Sequence, residues 1–129
     1  MKLEKQVTSL KLSRKLKSLG VKQESLWYWE QDVDDSDGGD FELCDKKVYD
    51  RWNNKFEQSI IEFYSAFTVA ELGERLPCGL YTSYRIEVGW SFICKPRFSN
   101  PDIKEQISTT EANARAKMLI HLIEKGEGV

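Results

Sequence analysis

The sequence predicts one α+β domain over residues 1–129: a small antiparallel sheet of about four strands, with helices packed on one face. Three observations lead to this fold class. Helix-like spacing of apolar residues occurs near both ends of the chain, and alternating or aromatic-rich segments lie between them. The length of 129 residues suits a single core. Two layers would bury all the apolar stripes together.

Three segments carry the signals of helices. The first, predicted over 8–19, has regularly spaced leucines followed by Gly20, where a left-handed cap is expected. The second, in SAFTVAELGERLP, opens with the spacing of a capping box at Thr68 and Glu71 and ends at Pro77. The third is predicted over 109–125, again with capping-box spacing, and is closed by a glycine. These last signals are carried by Ser108, Glu111 and Gly126.

Four segments predict strands. LWYWEQDV and FELC would form a hairpin in which Trp27 and Trp29 share one face. YTSYRIEVGWSFICKP predicts two strands joined near Gly89. Residues 46–64 are ambiguous: a helix or irregular turn is expected in the first half, ended by paired asparagines, and an extended segment near 60–64. FSNPDIKEQIS is expected to be a connection with one helical turn.

The segment DVDDSDGGD at 32–40 is rich in aspartate and glycine, which raises the hypothesis of a calcium site. A helix-loop-helix calcium site needs ligands at positions 1, 3 and 5, glycine at 6 and glutamate at 12. Counted from Asp32, the glycine place holds Asp37 and the glutamate place holds Leu43; counted from Asp34, the third ligand place holds Gly38. The predicted structure is therefore a solvated hairpin tip, with acidic docking as the alternative.

Charge is distributed unevenly, although the net charge is only −2. Residues 1–22 contain seven lysines or arginines against one glutamate, whereas residues 30–50 contain nine acidic residues against two lysines. Either the molecule has a bipolar surface that serves as an interaction face, or the two segments lie close together and partly neutralise each other.

The chemistry-bearing residues predict no cofactor and no metal site. The three cysteines lack the paired short spacings of zinc ligands and are expected to be reduced thiols. The single histidine, His121, is expected to be solvated on a polar helical strip, and no phosphate-binding glycine loop is present. Catalysis is not favoured, although an acid/base pair assembled from distant segments would be invisible in the sequence. No secretory signal or transmembrane segment is expected.

The candidate binding residues are basic residues of the first helix and tryptophans. A basic helical face could follow phosphates or simply be solvated, and tryptophans on an open sheet face could bind a base or a protein partner, or belong to the core. Helix-turn-helix and double-stranded-RNA-binding arrangements are disfavoured, because a strand follows Pro77 and because no lysine cluster begins the last helix. The candidates are Lys11, Arg14, Lys15, Trp27, Trp29 and Trp90.

Three longer segments carry a family resemblance. With its opening LEKQVTSLKLSRKLKSLGVKQESLWYW, its central FTVAELG-x-x-LP and its terminal EA-x-ARAKMLI-x-LIE, the chain resembles a group of short proteins encoded by phages and prophages. The resemblance covers most of the chain outside about 32–62. It implies an origin on a mobile element and a location in the cytoplasm of a bacterial host, and it supplies no active-site residues.

Two functions are therefore expected. The first is a non-catalytic protein-interaction module, an accessory factor of a phage or prophage with an unknown protein partner. The second is a nucleic-acid or nucleotide binder that uses the basic first helix and the tryptophans. A homodimer is a further expectation, because a small aromatic-rich sheet can leave an apolar face exposed.

Overall fold

The computed structural model describes residues 2–32, 41–53, 61–77, 80–85, 91–97 and 100–126. These residues form helices and strands in mixed order, which confirms the α+β class. The elements are α1 (Leu3–Gln6), α2 (Leu10–Ser18), β1 (Trp27–Asp32), β2 (Phe41–Asp45), α3 (Lys46–Asn53), β3 (Ile61–Ala66), α4 (Val69–Arg75), β4 (Leu80–Arg85), β5 (Ser91–Pro96), β6 (Gln106–Ser108) and α5 (Glu111–Glu124).

The described strands form two antiparallel sheets of three strands each, not one sheet of about four. The first has the order β2-β1-β3 and the second the order β4-β5-β6. Two strands make the difference: β3 forms where an extended segment was expected near 60–64, and β6 lies where a connection with one helical turn was expected. Strand β6 pairs Ile107 with Ile93 of β5, so it exists because of a partner strand and not because of a pattern of its own.

The first sheet is covered on both faces. Successive side chains of its strands point to opposite faces, and each face packs against another part of the chain. Trp29 and Tyr64 are cross-strand neighbours and pack on one face with Val7 of the amino-terminal segment. Tyr28 and its neighbours lie on the other face, where the ring of Tyr49 from α3 stacks on Tyr28 at 3.8 Å. The prediction that Trp27 and Trp29 share a face is confirmed.

The helix caps follow the sequence with one correction. Gly20 has the positive φ of 87° expected after α2, and Thr68 and Glu71 form the reciprocal capping box of α4. At α5, however, the cap is Thr110, whose hydroxyl accepts from the amide of Asn113. The predicted cap Ser108 belongs instead to β6, so the capping box expected there is wrong. The predicted first helix was also too long, because α2 begins after its cap Ser9.

Helix α5 lies at the centre of the molecule. One side packs with α2 and α4 in a cluster that includes Leu16, Leu72 and Leu119. The other side packs on the second sheet, where Met118 is in a cluster with Cys94 of β5. Seven of its side chains are buried, so α5 is shared by the core of the helices and the core of the second sheet.

Candidate functional site

A cleft opens between helix α2 and the β1–β2 hairpin. Its volume is about 470 Å³, which falls within the size range of ligand-binding pockets. Helix α2 provides one wall, the hairpin provides the other, and α1 closes one end. We call it the α2–hairpin cleft; its lining residues are Glu4, Ser9, Leu10, Lys11, Arg14, Trp29 and Phe41.

Three of the six candidate residues of the sequence analysis meet in this cleft. Lys11 and Arg14 lie one turn apart on α2, and Trp29 comes from β1. The sequence did not indicate that these residues share a site with Phe41, which is the first residue of β2. Within the described residues, the basic segment therefore lies near β1 and β2, which include part of the acidic segment. The acidic stretch itself, 33–40, is outside the described residues.

Trp29 lines the cleft but exposes very little of its surface there. The side chain is 5% exposed, and its indole N–H donates to the carbonyl of Thr8 at 2.7 Å. The amide and hydroxyl of Thr8 in turn bond to the backbone of Phe67, which fixes the amino-terminal segment against the sheet. Trp29 is therefore a core residue, and its ring face is not free for stacking.

Phe41 is the exposed aromatic residue of the cleft. It is 48% exposed, and its ring contacts Trp29 edge to face with 5.3 Å between centroids. It lies on β2, an outer strand of the first sheet. A phenylalanine that stays half exposed on such a strand provides apolar surface that a partner could cover.

Most cations of helix α2 are engaged within the molecule. Arg14 donates to Gln31 and lies 5.5 Å from the ring centre of Tyr64. Lys17 donates to the carbonyl of Phe63 at 3.0 Å, and Lys15 is 3.6 Å from Glu124. Lys11 is exposed and has no hydrogen bond or ion pair among the described residues. Of the two cations that line the cleft, Lys11 is therefore the one without a partner among the described residues.

The other predicted binding residues lie elsewhere. Lys15 does not line the cleft and faces Glu124 of α5. Trp27 is half-buried and packs at the edge of the cluster that contains Trp29. Trp90 is outside the described residues. The residues Leu10 and Phe41 were missed, because nothing local in the sequence distinguishes them from core leucine and strand phenylalanine.

A carboxylate pair lies on the opposite face of the same hairpin. Glu30 and Glu42 are directly paired across β1 and β2. Burial, followed by the hydrogen bond and the charge of Glu42, raises the pKa of Glu30 to about 7. This is the kind of distant pair that the sequence could not reveal. Neither carboxylate lines either of two described cavities, so the pair is not aimed at a substrate there.

The described thiols are poor nucleophiles. Burial raises the pKa of Cys44 to about 12 and that of Cys94 to about 11, so both remain protonated near neutral pH. They belong to different sheets. Among the described residues, no three Cys, His, Asp or Glu side chains are grouped to hold a metal ion. The Nε2 atom of His121 accepts from the amide of Lys104 at 3.2 Å, so the ring is not simply solvated.

Comparison of the chain with protein-family models, with curated proteins and with solved structures finds no match. Within the described part of the chain, no helix combines the length and apolar character needed to cross a membrane.

Proposed function

We propose that the chain is a non-catalytic protein-interaction module whose partner binds in the α2–hairpin cleft. The observation that carries this function is Phe41, an aromatic side chain 48% exposed beside a cleft of about 470 Å³. Buried aromatic anchors with nearby cations dominate the energetics of protein interfaces. The cleft supplies one such aromatic side chain, and a partner would complete its burial.

The lining of the cleft supports binding more than catalysis. Its described side chains include one serine, Ser9, and one carboxylate, Glu4, and among them no base lies ready to activate a nucleophile. The hydroxyl of Ser9 already accepts from the amide of Leu12 as the cap of α2. The carboxylate pair of Glu30 and Glu42 belongs to the other face of the sheet.

The biological setting of the proposed function comes from the sequence resemblance. The similarity to short phage and prophage proteins supports an accessory role in a bacterial cytoplasm. The partner in this setting is a protein of the host or of the mobile element.

A peptide-display selection tests the function. Random peptides are selected on the intact protein, and the dissociation constants of the winners are measured by fluorescence polarisation. Phe41→Ala is expected to weaken binding about tenfold, because it removes the aromatic anchor. Leu26→Ala is the matched control: Leu26 is 62% exposed and does not line the cleft, so its replacement should leave binding unchanged. Equal binding to both variants would refute the cleft as the site.

The second candidate, a nucleic-acid or nucleotide binder, is supported by the proximity of Lys11 to an aromatic ring in the cleft. It is less well supported, since Arg14, Lys15 and Lys17 are engaged within the molecule. A salt titration of oligonucleotide binding separates the two functions. Salt-sensitive binding at low ionic strength would favour the second.

A homodimer is the third occupant to test. Phe41 could be covered by a second copy of the chain instead of a different protein. Light scattering at increasing protein concentration measures this directly. A mass that stays monomeric at high concentration would refute self-association.

A further inference from the structure

We propose that the α2–hairpin cleft selects an acidic partner segment, one in which a bulky apolar residue is next to a carboxylate, and that Lys11 determines this selectivity. The inference rests on the proposed function and adds the chemical class of the partner. It is based on the composition of the lining and on which cations of α2 are free to meet a ligand.

The apolar part of the ligand follows from the walls of the cleft. Leu10 lies on one wall, and Phe41 and Trp29 lie on the other. A bulky apolar side chain placed between them would cover Phe41, which is half exposed in the free protein. A purely polar segment would leave this apolar surface in contact with water and gain nothing from it.

The acidic part follows from the distribution of charge around the cleft. Lys11 and Arg14 are on the α2 side, and Glu4 of α1 is the single carboxylate among the described lining residues. A carboxylate beside the apolar residue would meet two cations on α2, whereas a cationic ligand would face both of them. The charge of the lining therefore complements an acidic segment and opposes a basic one.

Lys11 is assigned the selective role because it is the cation of this pair that is available. The guanidinium of Arg14 already donates to Gln31 and lies over the ring of Tyr64. Lys11 is exposed and unpaired among the described residues, so its ammonium group can turn toward a ligand without breaking an existing contact. Its long side chain can also lie along the apolar wall while the charge stays at the rim.

Charge reversal tests this inference with a control on the same helix. Peptides selected on the native protein should be enriched in Asp or Glu next to Trp, Phe, Leu or Met. Lys11→Glu should weaken their binding about tenfold. A peptide in which the acidic residue is replaced by Lys should bind Lys11→Glu better than it binds the native protein. Lys15→Glu has the same charge change but points at Glu124, so binding should change by less than about twofold.

The outcomes separate this inference from the proposed function. Peptides that depend on Phe41 but show no acidic enrichment, or that respond equally to Lys11→Glu and Lys15→Glu, would overturn the acidic selectivity and leave the interaction module intact. Failure to select peptides, or peptides indifferent to Phe41→Ala, would overturn both. Displacement of the peptide by an oligonucleotide, or by a second copy of the chain, would also contradict an acidic peptide as the occupant.

Discussion

The hydroxyl of Ser65 is fully buried and has no hydrogen-bond partner among the described residues. It lies on β3, opposite Tyr28 of β1. The Ser65 amide, in contrast, donates to the Oε1 atom of Gln23 at 2.7 Å. A buried hydroxyl without a partner loses its hydration and gains no compensating bond, so it destabilises the native state.

Ser65→Ala should therefore stabilise the protein by about 1 kcal/mol, because it removes an unpaired buried hydroxyl and leaves the backbone bond intact. The matched control is Ser13→Ala. Ser13 is equally buried, but its hydroxyl is 2.6 Å from that of Thr8, so its loss should destabilise the protein by about 1 kcal/mol. Urea denaturation measures both free energies of unfolding. A loss of stability in both variants would contradict the interpretation.

At the scale of the elements, the β1–β2 hairpin has two different faces. The face of Trp29 and Phe41 borders the cleft, and the face of Glu30 and Glu42 carries the paired carboxyl groups. Burial and Glu42 raise the pKa of Glu30 from 4.5 to about 7 in the folded protein. Between these two values the folded protein keeps a proton on Glu30, whereas the unfolded chain has already released it.

The raised pKa of Glu30 should consequently lower the free energy of unfolding as pH rises. The contribution of protonated Glu30 is fully present below about 4.5 and is lost as pH rises through about 7, since the folded state binds more protons than the unfolded state in this interval. Glu30→Gln keeps the uncharged form. It should therefore be more stable than the native protein at about pH 8 by roughly 1 kcal/mol, a value reduced for the solvent screening of a partly exposed group.

Urea denaturation at about pH 5 and about pH 8 provides the measurement. Glu105→Gln, an exposed carboxylate beside the second sheet, is the control and should follow the pH dependence of the native protein. If Glu30→Gln shows the same pH dependence as the native protein, the proton on Glu30 has no role in stability.

Local sequence patterns were enough to predict α2, α4, α5 and the β1–β2 hairpin. The two-residue period of a strand placed Trp27 and Trp29 on one face. The preference of glycine for a positive φ and of threonine for the N-cap placed Gly20 and Thr68 at helix ends. Features that depend on a distant partner were not predictable. Strand β6 has only three residues and forms by pairing with β5, and the contact of Glu30 with Glu42 depends on the register of β1 and β2.

The candidate site was predictable only in part for the same reason. Basic residues of α2 and the tryptophans of β1 were recognised by type, but the cleft exists because α2 packs on β3, the third strand of the sheet that contains the hairpin. Lys11 and Phe41 are brought together by that packing and not by any short motif. The burial of Trp29 could not be predicted either, because its indole N–H donates to the carbonyl of Thr8, which is more than twenty positions earlier in the chain.

At the scale of the whole molecule, α5 connects the second sheet with helices α2 and α4. Met118 faces the second sheet with Cys94 and Leu122, whereas Leu119 faces the cluster of α2 and α4. A helix buried on both sides should couple the stability of the two parts. The prediction of one domain over 1–129 therefore has a direct test.

Met118→Ala should destabilise the protein by about 2–4 kcal/mol, because it leaves a cavity between α5 and the second sheet. If the chain is one cooperative domain, tryptophan fluorescence and far-ultraviolet circular dichroism should show the same lowered unfolding midpoint, although two of the four tryptophans, Trp27 and Trp29, lie in the first sheet. Glu124→Ala, at an exposed position in the last turn of α5, controls for loss of α5 side chains in general. Two separate transitions would show that the sheets unfold independently.

The amide of Ser9 donates to the side chain of Asn113, 104 positions later, at 2.9 Å. On a ribosome, α2 emerges well before α5, so its leucines have to wait for the last helix to cover them. Non-local closure of this kind slows folding and exposes apolar surface during synthesis. The wall of the cleft that contains Lys11 is consequently completed late, and a newly made chain should become able to bind its partner only after α5 has left the ribosome.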